Sequence, residues 1–194
     1  MSMMNDEDAV QGATRTMQII VAALAGGVVL FWAMVTLVLP NAGGPKPPAA
    51  AAGPDILGLP LLTAMAIVFG LVSVVASFLV PKVVVDGALG QIAKGMATED
   101  STASRPGAKQ VYPASEVAKL LPVYSTQLII ASALNEGAAF FAGIAYMLEH
   151  HPATIGVAGV LVALLLSRFP TTDRVQGWLE AQLERLTVKR RDDF

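Results

Sequence analysis

The sequence predicts an all-α fold, a bundle of four transmembrane helices with an amphipathic C-terminal juxtamembrane helix. Three observations predict it. The chain of 194 residues is 54% hydrophobic and only 14% charged, against roughly one-quarter charged residues in soluble domains, and its mean hydropathy is +0.60. Apolar runs recur at lengths near the ~20 residues a helix needs to cross a hydrocarbon core. The basic residues fall almost wholly on one side of those runs.

Residues 1–16 (MSMMNDEDAVQGATRT) read as a cytoplasmic N-terminal tail. This leader is acidic, and the apolar run behind it is too long for a cleaved signal core, so a retained first helix is expected. Residues 17–39 (MQIIVAALAGGVVLFWAMVTLVL) form transmembrane helix 1, with no charge. Residues 40–60 carry six of the twelve prolines together with alanine and glycine, the composition of an extended external loop of polyproline character. Residues 61–80, bounded by Pro60 and Pro81, form helix 2, again uncharged. Residues 81–126 are the cytoplasmic loop. Its start can prolong helix 2, its middle (ATEDSTASRPGAKQ) is rich in turn formers, and PASEVAKLL offers a helical turn or two before Pro122. Residues 127–148 form helix 3, residues 149–152 (EHHP) an external turn, and residues 153–169 helix 4.

Residues 170–194 complete the chain as a cytoplasmic amphipathic helix and basic tail. Thr171 or Thr172 can cap it, and Asp173 suits the positive end of the helix dipole. Val175, Trp178, Leu179, Leu183 and Leu186 fall on one face. Two readings stand for that face: it lies along the inner leaflet, with Trp178 in the interface and Lys189, Arg190 and Arg191 near anionic headgroups, or it packs on the cytoplasmic loop.

Orientation follows from lysine and arginine. With the N-terminus inside, Arg15, Lys82, Lys94, Arg105, Lys109, Lys119, Arg168, Arg174, Arg185, Lys189, Arg190 and Arg191 are cytoplasmic, 12 of the 13 basic residues, and only Lys46 is outside. Both termini are therefore expected in the cytoplasm.

Within helix 3, Asn135 and Glu136 interrupt an apolar run. Glu136 lies nine residues from Gln127, roughly 13 Å along the helix, close to the middle of a core about 30 Å thick. A lone ionised carboxylate there costs at least about 2.5–3.5 kcal/mol, so it should turn from lipid, either as a protonated clasp between helices or as a proton or cation site. Ser132 stands one turn before it. Ser73, Ser77, Thr36 and Tyr146 are its candidate partners. Small residues (Gly137, Ala139 and Gly143 on helix 3, Gly26 and Gly27 on helix 1, Gly70 on helix 2) permit close helix packing and leave room for a second copy or another membrane protein.

Other chemistry has little material. The chain has no cysteine and two histidines, His150 and His151. Adjacent in a short turn, these diverge, so no metal site and no cofactor are expected. No phosphate-binding loop, nucleophile elbow or zinc-protease motif occurs, and a net charge of −2 gives no basis for nucleic-acid binding. A non-enzymatic bundle that binds lipid or partners, or organises the membrane, is expected. The alternative is proton- or cation-coupled transport through Glu136.

The run ALNEGAAFFAGIAYML resembles, over that one helix, the ion-carrying helix of the F-type ATP synthase c subunit, and by that resemblance Glu136 would carry the proton. The wider pattern, with Ala133, Leu134, Glu136, Gly137, Ala139 and the Phe140–Phe141 pair following a cytoplasmic loop, resembles uncharacterised bacterial four-span proteins, which implies placement in the cell (inner) membrane.

Overall fold

The computed structural model describes residues 2–38, 55–56, 58–93 and 116–192. Among them are five α-helices: α1 (Ser2–Ala33), α2 (Leu61–Ala93), α3 (Glu116–Glu149), α4 (Ala153–Ser167) and α5 (Thr172–Asp192). A π-helical turn, Met34–Val38, extends α1. A minimal antiparallel pair, β1 (Asp55–Ile56) with β2 (Leu59–Pro60), leads straight into α2, and Gly58 turns it with φ +76°, a conformation open to glycine. Lys46, Lys94, Arg105, Lys109, most of the proline-rich loop and the polar middle of the second loop lie outside the described residues.

Three helices, α1, α2 and α3, are long and apolar enough to cross a membrane. α4 is apolar but only 15 residues long, about 22 Å. Two boundaries differ from the sequence expectation. The supposed N-terminal tail is helical, because Val10, Thr14 and Met17 recur at helical spacing and are buried, with the Thr14 hydroxyl donating to the Val10 carbonyl at 2.7 Å. Pro122 lies inside α3 rather than ahead of it, while α2 does run on through Pro81 to Ala93, as the sequence allowed. A proline deletes one i→i−4 bond, and helical neighbours can re-satisfy the freed carbonyl.

The chain divides into two compact units. One gathers Met1–Ile19, Val80–Leu128 and Pro170–Phe194. Its core is an ordinary heptad-like seam of Val85, Leu89, Ile92, Leu120, Leu121, Tyr124, Val175, Leu179 and Leu186. Tyr124 of α3 meets Trp178 of α5 edge-on at 5.0 Å between centroids. Gln18 at the end of this unit's α1 segment donates to the Pro170 carbonyl at 2.9 Å, and the Thr171 hydroxyl accepts the Arg174 amide at 3.4 Å as the α5 cap.

The other unit is Ile20–Leu79 with Ile129–Phe169. α3 is its central helix. Ala138, Ala139, Ala142 and Ala145 are all at most 1% exposed, a small-residue seam that lets α1, α2 and α4 approach closely. Val28 and Leu161 close on Ala138 and Ala139, while Ala66 and Ala158 close on Ala142 and Ala145. Aromatic edges fill the flanks, Phe31 on Phe140 at 5.0 Å and Phe69 on Phe141 at 5.5 Å. The outward faces are apolar instead: Leu30, Leu37, Leu71, Val72, Leu148, Val160 and Leu166 are all more than half exposed. Such a surface is far more apolar than water tolerates over contiguous patches.

Candidate functional site

Polar side chains inside the Ile20–Leu79/Ile129–Phe169 unit are few, so each can be followed individually. On α3 the seam runs through Ser132 and Asn135, both 0% exposed. Among the described residues, the Ser132 hydroxyl and the Oδ1 and Nδ2 atoms of Asn135 have no hydrogen-bond partner. A buried unsatisfied donor or acceptor costs about 1–3 kcal/mol, so this pair is an expensive feature of the interior. Glu136, one position on, is rotated about 100° from Asn135 and is only half-buried. Its carboxyl faces the α1 backbone, with Oε1 3.8 Å from where a Cβ on Gly27 would lie. The carboxyl makes no hydrogen bond among the described residues, and Ser73, Ser77, Thr36 and Tyr146 do not serve it there. Thr36 donates to the Trp32 carbonyl instead.

The small residues separate into two groups. A Cβ on Gly143 would run into the ring edge of Phe31, and one on Gly70 would sit 3.0 Å from Val157 Cγ1; with Ala139 these are points of close packing. Gly26 and Gly137 have open space where a Cβ would be.

The interhelical ties lie where sequence pattern offers little warning. At one end of the unit, Glu149 Oε1 accepts the Leu62 amide at 2.8 Å, and Oε2 accepts the Thr63 amide and hydroxyl, each at 2.7 Å. A carboxylate at the last turn of α3 thus caps the first turn of α2, whose amides have no intrahelical partner. Glu149 follows the apolar segment 127–148. Partial burial raises its pKa, but the Thr63 and Leu62 hydrogen bonds, with His151 nearby, outweigh this and hold the carboxyl below its ordinary value. The next residues finish the turn: His150 takes φ 52° with its ring 5.6 Å from Tyr146, and His151 Nδ1 accepts the Ala153 amide at 3.3 Å. Among the described residues no group of three metal-ligating side chains converges.

Toward the other end, the half-buried Arg168 at the α4 C-terminus reaches back to α2. Its Nη1 donates to the Ser77 carbonyl and its Nη2 to the Ser77 hydroxyl, both at 3.0 Å, with the guanidinium 4.5 Å above the Phe78 ring. The reason is written four residues later. Pro81 has no N–H, so the Ser77 carbonyl loses its helical partner, and Arg168 replaces it. Only the juxtaposition of Pro81 with the preceding serine could have signalled this from sequence. A third tie, Trp32 Nε1 to the Ala139 carbonyl at 3.2 Å, joins α1 to α3.

In the other unit, Trp178 packs on Tyr124, and the α5 face of Val175, Leu179 and Leu186 is buried within the protein. Of the two readings of that face, packing on the chain's own helices is the one seen. Lys189 donates to the Asp86 carbonyl at 3.5 Å, and Arg191 is exposed; the Arg190 side chain lies outside the described residues.

No protein-family model matches the chain, and no curated protein or solved structure is significantly similar to it.

Proposed function

We propose that the protein is a four-span integral membrane bundle, both termini cytoplasmic, in the inner membrane of a bacterium, and that its role is non-enzymatic: to organise the membrane or to bind lipid or a partner protein. The observation that carries the reading is the inversion of the Ile20–Leu79/Ile129–Phe169 unit, small and polar within and apolar outside. This is the arrangement lipid favours, since apolar surface outside costs nothing there while backbone and polar groups must be satisfied within. α4 supplies the fourth crossing with its ends in the interface, where Arg168 can snorkel.

Native mass spectrometry of the protein released from lipid nanodiscs tests the role. Retained lipid or a second copy is expected. A bare monomer that never retains either would sink it.

A second reading, proton- or cation-coupled transport through Glu136, is favoured by one observation: among the described residues, a half-buried carboxyl without a hydrogen bond stands beside two buried polar side chains without partners. An intramembrane ionisable group is by default a functional hypothesis. Carbodiimide labelling of Glu136 in lipid, with Glu136→Gln as the blank, separates the two roles: labelling that falls with rising pH marks a titrating, accessible group, and no labelling at any pH marks a sealed one.

A further inference from the structure

Among the described residues, three buried side-chain atoms of Ser132 and Asn135 have no hydrogen-bond partner, and their chemistry selects what could satisfy them. Asn135 offers an acceptor, Oδ1, and a donor, Nδ2, and Ser132 a hydroxyl that is both. The two residues are 0% exposed and three apart on one helix, hence neighbours on one face. A bare metal cation would satisfy the two oxygens and be repelled by the amide N–H. An anion would satisfy the donors and oppose Oδ1. Water accepts from Nδ2 while donating to Oδ1, is the smallest ligand able to do both, and requires two to four polar partners as an internal water.

The register of the helices places further polar groups at the same level. α2 runs antiparallel to α3, with Thr63 on Glu149, Phe69 on Phe141 and Val74 against the Ala138 cluster. One more turn brings Ser77 level with Ser132 and Asn135, and Ser77 carries the Arg168 guanidinium. Glu136 stands four residues after Ser132, one turn along the same side of α3.

We propose that Ser132 and Asn135 form an internal hydration site, a binding site for water at the Ser77–Arg168 level of the helix bundle, from which water reaches the Glu136 carboxyl. As a route to Glu136 it rests on the transport reading above, and it specifies that what arrives is water rather than a metal ion.

The cysteine-free chain allows a direct test, because thiols react with a small charged methanethiosulfonate only where water ionises them. Single-cysteine proteins Ser132→Cys, Asn135→Cys and, as the dry reference, Ala138→Cys are reconstituted in lipid vesicles and their modification rates measured by mass spectrometry. Ser132→Cys exchanges one atom and keeps the packing, so a misfolded Asn135→Cys protein does not remove the test. Modification of the cysteines at 132 and 135 at least tenfold faster than at 138, and unchanged when sodium replaces choline, is the expected result. Rates at 132 and 135 no faster than at 138 overturn the proposal, as does protection by sodium, which would mean a metal-ion site. Proton uptake by Glu136→Gln vesicles is read separately: a wild-type rate there sinks the transport reading and leaves the thiol rates, and the hydration site, untouched.

Discussion

Glu149 uses one carboxylate to satisfy two orphan amides and a hydroxyl of a different helix. Hydrogen bonds to a charged group are worth about 1.5–3 kcal/mol each when truncated, and interfacial water recovers part of that. Glu149→Gln, which keeps the shape but offers one acceptor oxygen, is therefore expected to destabilise the protein by about 2 kcal/mol, read as a shift in the denaturation midpoint in detergent. The effect has a pH signature. The folded carboxyl titrates below its ordinary value, so its stabilisation is complete above the unfolded pKa near 4.3 and is lost as pH falls through the lower folded value. Wild type and Glu149→Gln should differ at neutral pH and converge in acid; a difference that persists unchanged in acid would refute the assignment. Residue-scale legibility in this chain was uneven. Glu136 attracted attention because charge is rare in an apolar run, yet the seam of α3 passes through Asn135, one position earlier. With alanines and glycines on every side of the helix, periodicity did not distinguish two faces 100° apart. Glu149 was visible only as the polar end of a turn, since its partners are backbone amides that leave no mark in side-chain pattern.

At the scale of helices, Pro122 was the main misreading, whereas the run after Pro81 was expected to be able to prolong helix 2. Pro81 and Pro122 look like boundaries, and both are interior to long helices. A proline breaks a helix when the carbonyl it abandons has nowhere to go; at Pro81 Arg168 supplies the substitute. This predicts coupling between two residues that need not touch. Arg168→Leu should cost less in a Pro81→Ala background, where an amide at position 81 can bond the Ser77 carbonyl again. The double-mutant cycle should give a coupling of at least about 0.5 kcal/mol, the size expected for groups sharing a partner. Coupling within error would mean that Arg168 acts through the Phe78 ring or the Ser77 hydroxyl alone. The apolar stretches of α1, α2 and α3, by contrast, were legible, because length and absence of charge decide them without any knowledge of packing.

At the scale of the whole chain, the sequence separated long apolar spans from the segments between and after them, and it read those segments as a tail, a loop and a C-terminal helix set either on the inner leaflet or on the loop. Their apolar positions in fact meet one another: Val10 and Met17, Val85 and Leu89, Leu120 and Tyr124, Val175 and Leu186 are buried in one unit. Packing of α5 on the loop was one of two open readings, whereas the share of the N-terminal segment was missed, because Val10, Thr14 and Met17 are too few positions to reveal a partner. Leu186→Asp, placing a charge at a site 0% exposed, is expected to release α5 and speed tryptic cleavage after Arg185 by at least tenfold, the effect of several kcal/mol on a local opening. If α5 were held by lipid instead, wild-type cleavage would accelerate on vesicle removal and the substitution would add little. The Glu149 cap has one last implication, for the making of the protein. It joins positions 86 and 87 residues apart, so a nascent chain delivers the start of α2 long before the residue that latches it exists. Until position 149 leaves the ribosome, the Leu62 and Thr63 amides depend on water, and the start of α2 is unlatched. Arrival of the end of α3 is the event that latches the start of α2.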